Sequence, residues 1–333
     1  MGRQTAAGED QRWIEFPASA IMPAFSEAIS MWFKNLQLYR LSKPFDLDSE
    51  ALHEALQERA ARECGTLEMS VSGWFPPLGR NSEQLTHPVG DCIMICVRRE
   101  DKVIPAAVVR ELLDEKAALI EEQEGRKVRR REREELKDGI MTDLLARAFV
   151  KSTLTYAYID TRDHWLVVDA ASANRAEELI TLLRETLGTL ALKPLETARA
   201  PAAVLTSWLN GAPPTSDYLI QDECELRDPM EEGAIVRCRR QDLEGEEIQA
   251  HLDAGKQVVR LAVEWNERIA FVLVDDLSVK RLKFLDLVQE EAAEAEAEDA
   301  ATRFDVDFAI MSLELRGCIN RLVETYGGPA EAD

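Results

Sequence analysis

The sequence predicts an α+β fold of several small sheet-plus-helix subdomains with a projecting helical arm. Several short runs alternate apolar and polar residues, which is typical of half-buried strands. Other runs repeat apolar residues every three or four positions, which is typical of amphipathic helices. Residues 121–138 are mostly charged and indicate an exposed arm. With 333 residues, of which 46% are hydrophobic, the chain exceeds the roughly 250–300 residues at which single cores tend to divide.

The composition shifts divide the chain into six segments. The first lacks a clear period and a continuous apolar core, so we expect a disordered arm or a mis-set start codon there and not a signal peptide. The predicted segments are an N-terminal extension (1–30), an α+β subdomain (31–104), the charged helical arm (105–151), a second α+β subdomain (152–232), a C-terminal α+β subdomain (233–328) and a tail (329–333).

The first subdomain opens with an alternating strand at 33–41. Acidic residues just before Ser49 favour a helix N-terminus at that point. The Pro-Pro pair within residues 69–79 indicates a loop that carries an aromatic plug. A continuous apolar run then predicts a buried strand at 92–97, which ends in Arg98-Arg99.

The arm is predicted to be two helices. Pro105 suits a first helical turn, Gly125 favours a break, and a second helical stretch continues to Phe149. Arginines and glutamates alternate around residues 126–133, which is typical of an exposed helix with many ion pairs. Direct DNA contact by this run stays open as the alternative.

The two remaining subdomains each combine strands with helices. Residues 153–160 and 165–169 predict a hairpin, which is followed by a helix that Ser172 caps and Gly188 ends. In the last subdomain the pattern predicts, in order, a strand at 234–240, a helix at 244–254, strands at 257–265 and 269–275, a strand that starts near Ser278, an acidic helix at 290–301 and a final amphipathic helix.

Composition narrows the class of protein. No apolar run approaches the ~18–20 residues of a membrane span, and the six scattered cysteines form no CxxC pair, so we expect reduced thiols in a cytoplasmic protein. The net charge of −22 argues against nucleic acid, unless basic residues are segregated on one surface.

Catalytic motifs are missing from the sequence. The four histidines form no metal-binding spacing, and no phosphate-binding glycine loop is present. We therefore expect no catalytic residue, no metal and no cofactor. Asp305 and Asp307 form the one pair that a nuclease reading uses, although two carboxylates near a helix start also favour the helix dipole.

The basic residues indicate a function more strongly than any catalytic motif does. Because side chains alternate along a strand, Arg237 and Arg239 share one face of their strand. Arg281 and Lys283 likewise share one face of a second strand. Such faces suit a phosphate backbone, although the same residues also fit solvated charges paired with acidic neighbours. The candidate DNA-binding residues are Arg98, Arg99, Arg237, Arg239, Arg240, Gln241, Lys256, Arg260, Arg281 and Lys283.

Several segments resemble one known family. They are MWFKNL from Met31, GW-x-PP-x-G from Gly73 with LTH from Leu85, QDL from Gln241 with EEI from Glu246, AGK from Ala254, KRLKF from Lys280 and RFD-x-DF-x-x-M from Arg303. Together they resemble the RdgC family of bacterial recombination-associated, DNA-binding ring proteins, from Met31 to about Gly328.

The resemblance implies a homodimer closed into a ring around double-stranded DNA, with binding to single strands as well. It implies a nucleoid-associated protein that limits access of the recombinase RecA to DNA. It also implies that Arg240 and Gln241 face DNA and that Phe149 packs into the partner subunit. The alternative is a regulator that binds protein partners through its acidic surface, with only incidental affinity for DNA.

Overall fold

The computed structural model describes residues 32–230 and 233–330, so the predictions for residues 1–30 and for the end of the tail lie outside the described residues. Within those residues the fold contains two antiparallel sheets and eight helices, so the α+β prediction is confirmed. The helices are α1 (Ser49–Gln57), α2 (Ala106–Glu124), α3 (Arg130–Leu145), α4 (Ala173–Leu187), α5 (Pro201–Leu209), α6 (Glu246–Asp253), α7 (Asp286–Glu294) and α8 (Ala300–Thr325).

The first sheet has seven strands. They are β1 (Gln37–Leu41), β2 (Ser70–Phe75), β3 (Thr86–Val89), β4 (Cys92–Val103), β5 (Phe149–Asp160), β6 (Trp165–Val168) and β7 (Leu192–Pro194). Their order is β2-β4-β5-β6-β1-β7, and β3 pairs with β4. Strands from the predicted segments 31–104 and 152–232 therefore share one sheet.

The second sheet has five strands, β8 (Tyr218–Arg227), β9 (Ile235–Arg239), β10 (Gln257–Trp265), β11 (Ile269–Val274) and β12 (Val279–Phe284). Their order is β12-β11-β10-β8-β9. The bounds of β10 confirm the prediction. Strand β8, from the predicted segment 152–232, pairs with β9 from the segment 233–328.

Two hydrophobic cores hold these layers. Helices α1 and α4 pack on one face of the seven-stranded sheet through residues such as Leu52 and Ile180. The larger core joins both sheets to α8, where Phe308 and Met311 are fully buried. The backbones of Leu36 and Val279 also exchange two hydrogen bonds of 2.8 and 3.0 Å, which link the two sheets directly.

The loop predicted at 69–79 is wrong for its first half, because Ser70–Phe75 forms β2. Trp74 is buried in the core, and its Nε1 donates a hydrogen bond to Thr186 Oγ1 at 2.9 Å. A Cβ on Gly73 would lie 2.6 Å from Ala61 Cα, so a glycine is required by this close backbone approach. The two prolines that suggested a loop only end the strand.

The arm departs from its prediction at its end. Gly125, at φ +64°, ends α2 as expected, but α3 ends at Leu145. Phe149 is not helical and begins β5, opposite Val103 of β4, because β4 and β5 pair over twelve residues. Ion pairs such as Arg130–Glu134 and Arg131–Glu135 confirm the predicted pairing of charges along an exposed helix.

The acidic helix predicted at 290–301 is interrupted. Helix α7 ends at Glu294, and α8 begins at Ala300, where Asp299 accepts a hydrogen bond from the backbone N–H of Thr302 at 2.7 Å. This capping carboxylate satisfies one of the N–H groups that every helix start leaves unpaired. The run rich in Glu and Ala is therefore divided between two helices, and Asp299 caps the second one.

All six cysteines carry free thiols, and five of them are buried. Burial raises the pKa of Cys92 to about 12. Over residues 32–230 and 233–330, no helix combines the length and the apolar character that crossing a membrane requires.

Candidate nucleic-acid interface

The open face of the five-stranded sheet carries a cleft of about 330 Å³. All five strands contribute to it, and the opposite face of the sheet is covered by α5 and α6 through the larger core. The lining residues are Glu223, Cys224, Glu225, Arg237, Arg239, Arg260, Val272 and Arg281. The cleft is therefore lined by four arginines and two glutamates.

Strand alternation places most of these side chains. In β9, Arg237 and Arg239 are exposed while Cys238 between them is buried, which confirms the predicted division of faces. Arg260 of β10 lies opposite Glu225 of β8. The cleft thus forms where antiparallel neighbours present charged residues on the same face.

Arg281 reaches the cleft by a different route. It adopts φ +52° at an irregularity in the pairing of β11 with β12, where one extra residue lies on β12. Such a bulge re-aims a side chain relative to simple alternation. Lys283 lies opposite Ala270, two residues from the cleft-lining Val272, so it belongs to the same face of the sheet.

Glu225 is the buried anchor of the cleft. Its side chain is 7% exposed and accepts hydrogen bonds from Arg237 Nε at 2.7 Å and from Arg227 Nη2 at 3.2 Å. Burial by itself raises the pKa of Glu225, but the bonds from Arg237 and Arg227 and the charge of Arg260 hold this pKa below its ordinary value. Glu225 therefore stays ionised and fixes two guanidinium groups.

Glu223 occupies the outer part of the cleft. Its Oε1 lies 2.7 Å from Arg281 Nη2 and 3.6 Å from Arg239 Nε. The three side chains are 25%, 52% and 70% exposed, respectively, so an incoming ligand has access to both arginines. Planar guanidinium groups in this setting favour oxyanions such as phosphate and carboxylate.

Comparison with known proteins identifies the family to which the chain belongs. The family model described as "Putative exonuclease, RdgC" matches residues 31–329. The chain belongs to the RdgC family. Curated relatives named "Recombination-associated protein RdgC" include one from Tolumonas auensis, 43% identical over 298 residues that cover 90% of this chain and 99% of that protein. Another from Pseudomonas aeruginosa PAO1 is 44% identical over 299 residues that cover 90% and 98%.

Three residues predicted for DNA binding in this RdgC family member flank the strands of the five-stranded sheet and do not line the cleft. Arg240 is exposed just beyond β9, at φ +53°. Gln241 lines a neighbouring groove, and its backbone N–H donates to the carbonyl of Asp222 at 3.3 Å. Lys256 lies in the turn before β10, where its Nζ is 3.1 Å from His251 Nδ1.

Arg98 and Arg99 do not end a strand, because β4 continues to Val103. Arg98 is buried, lies 5.0 Å from the ring centroid of Phe75 and pairs with Glu100. Arg99 pairs with Asp101 and Glu178. Both lie apart from the cleft, because β4 belongs to the seven-stranded sheet. Carboxylates on β4 and α4 neutralise them there.

Sequence reasoning missed Glu223, Glu225 and Arg227. Residues 223–227 alternate charged and apolar side chains, a signal for a half-buried strand, and this strand pairs with β9. The basic strands could be recognised from their own sequence. The acidic residues of β8 can be matched to them only when the register of the sheet is known.

The nuclease reading of this RdgC protein rests on Asp305 and Asp307, and the structure separates them. Both lie in α8, where Asp305 is exposed and pairs with His87 Nε2 at 2.6 Å, while Asp307 is buried. Desolvation raises the pKa of Asp307, although the charge of Arg303 opposes this. No cluster of three or more metal-binding side chains occurs within the residues that the structure describes.

Proposed function

We propose that this chain binds DNA without sequence preference, encloses it as a homodimeric ring and limits the access of RecA to DNA during recombination. The observation that carries the proposal is the arginine-lined cleft on an otherwise strongly acidic protein. The names of the relatives connect the family to recombination. The same proposal includes a nucleoid-associated location in the cytoplasm.

The charge distribution supports binding despite the net charge of −22. Four arginines against two glutamates give the cleft lining a local surplus of two positive charges. Arg227 and Lys283 add positive charge on the same face, where Glu264 of β10, opposite Ala270, adds one negative charge. A protein that is acidic outside and basic inside repels DNA at its outer surface and attracts DNA only at the site.

The same geometry supports binding without sequence preference. Guanidinium groups on a sheet face reach phosphate oxygens, which are identical at every base pair, so they position DNA and carry no sequence code. Double and single strands both present phosphates. Enclosure by a ring then extends residence, because release requires an interface to open.

An exposed apolar surface supports self-association. Phe149 is 88% exposed at the end of the ribbon formed by β4 and β5, beside Val150 and opposite Val103, which are 46% and 49% exposed. Exposed apolar clusters of this kind favour protein contacts. A two-fold ring needs two self-complementary contacts per chain, and we assign this cluster to one of them.

We expect a labelled random-sequence duplex to bind tightly at low salt and to lose affinity as salt rises. The logarithm of the association constant should fall with a slope of roughly −0.9 per phosphate neutralised. Fluorescence anisotropy at four or more salt concentrations measures this slope. Binding without salt dependence, or no binding in dilute buffer, would contradict the proposal. Loss of intact duplex on addition of Mg²⁺ would instead support the nuclease reading.

We expect Phe149→Ala to weaken the dimer about tenfold or more. Burial of one phenylalanine contributes roughly 1.5–3 kcal/mol, and each 1.4 kcal/mol changes a dissociation constant about tenfold. Sedimentation velocity over a dilution series measures the change. Leu313→Ala, at a 64% exposed site on α8, is the matched control and should leave the dimer unchanged. Equal dissociation constants for both variants would remove Phe149 from the interface.

A second candidate function is a regulator that binds protein partners. A groove beside the cleft combines the apolar Trp208 and Leu219 with the acidic Asp222, Asp242 and Glu244, which favours a basic protein segment. The duplex titration separates the two candidates, since a protein-binding regulator gives no anisotropy change with DNA at any salt concentration.

A further inference from the structure

We infer that Glu223 competes with phosphate for the cleft arginines, and that DNA binds by replacing this carboxylate between Arg239 and Arg281. The inference rests on the proposed function and assigns a regulatory role to one residue of the same site. It follows from the different settings of the two glutamates on β8.

Glu223 resembles a bound anion in its contacts. A single oxygen, Oε1, approaches Arg281 of β12 and Arg239 of β9, the two edge strands of the sheet. The carboxylate thus draws two guanidinium groups together from opposite sides of the cleft. A phosphate oxygen at this position would make the same contacts with the same two donors.

Solvent exposure makes this contact replaceable. Glu223 is 25% exposed, and both of its arginines are more than half exposed. Ion pairs between exposed groups contribute little to folding, because water solvates the separated charges. When phosphate takes the two arginines, Glu223 can turn its carboxylate toward water without leaving a buried charge.

Glu225 is the contrasting case, two residues along the same strand. It is 7% exposed and holds Arg237 and Arg227. A buried carboxylate that loses its cations is strongly unfavourable, so phosphate does not displace it. Glu225 is a positioning residue that orients Arg237, whereas Glu223 reserves Arg239 and Arg281 until DNA arrives.

The experiment compares Glu223→Gln and Glu225→Gln, which remove the same charge from the same face of one strand. Anisotropy titrations of the labelled duplex at several salt concentrations give the affinities. We expect E223Q to bind about three- to tenfold more tightly than the unaltered protein at low salt, with a smaller gain at high salt. We expect E225Q to bind more weakly, because Arg237 loses its support.

Glu185→Gln is the matched control for global charge. Glu185 is an exposed carboxylate on α4 that pairs with Arg59, just after α1, so its loss changes net charge equally but leaves the cleft intact. Equal affinities for E223Q and E185Q overturn the inference while the proposed function stands. Absence of duplex binding by the unaltered protein at low salt overturns the proposed function and the inference together. Urea denaturation of each variant confirms that the folded state is compared.

Discussion

Replacement of Arg316 by Met should lower the free energy of unfolding by about 3–5 kcal/mol, because it leaves a buried carboxylate without its cation. Asp160, at the end of β5, is 1% exposed. Arg316 of α8 donates to its two oxygens from Nε at 2.7 Å and from Nη2 at 3.1 Å. The hydrogen bonds to Asp160 raise the pKa of Arg316, so the guanidinium stays charged throughout the accessible pH range. This pair fastens α8 to the seven-stranded sheet.

Urea denaturation followed by tryptophan fluorescence measures the loss. The matched control is Arg321→Met, five residues along α8, where Arg321 contacts Asp217 through Nε at 2.6 Å and Nη2 at 3.1 Å. That pair is 32% and 25% exposed, so its loss should lower the unfolding free energy by about 1 kcal/mol or less. Equal effects of the two substitutions would show that burial does not govern the Arg316 pair.

The double substitution Arg239→Gln with Arg281→Gln should weaken duplex binding about 10–100-fold near 0.1 M salt. Loss of two phosphate contacts should also reduce the magnitude of the salt slope by about 1.8. Both side chains are more than half exposed and share only Glu223, so the fold should be retained. Arg237 is left unchanged because it neutralises the buried Glu225.

Anisotropy titrations at several salt concentrations measure both quantities. The control is Arg59→Gln with Arg162→Gln, which changes net charge equally at exposed sites outside the cleft. A salt slope that the cleft double substitution leaves at its original value would remove the cleft from the DNA-binding surface. Equally weakened duplex binding by the control would assign the effect to net charge alone.

The local sequence pattern correctly predicted the elements whose conformation depends little on their neighbours in the fold. Strand β10 and helix α4 follow from alternation and from apolar spacing, because each buries one continuous face. Strand β2 was mistaken for a loop because Gly73 and the Pro-Pro pair are turn residues in most settings. There the glycine serves a close backbone contact with Ala61, which no local pattern reveals.

The candidate site shows the same division. Alternation correctly placed Arg237 and Arg239 on one face, since that depends on β9 alone. The glutamates that hold these arginines lie on β8, and their register with β9 depends on pairing across the sheet. Arg98 was expected at the end of a strand, yet twelve residues of pairing with β5 carry β4 beyond it. Long-range pairing therefore decides which cations are free to meet a ligand.

The position of β1 has a consequence for synthesis on the ribosome. Strand β1 lies between β6 and β7, and Leu36 just before it pairs with Val279. Its nearest partner, β6, begins about 125 residues after β1 ends. At bacterial elongation rates of roughly 5–20 residues per second, β6 is synthesised about 6–25 s after β1. The nascent chain therefore carries β1, four of whose five residues are buried in the finished fold, without its sheet partner over about 125 residues of synthesis. Its folding is completed only when the last third has emerged.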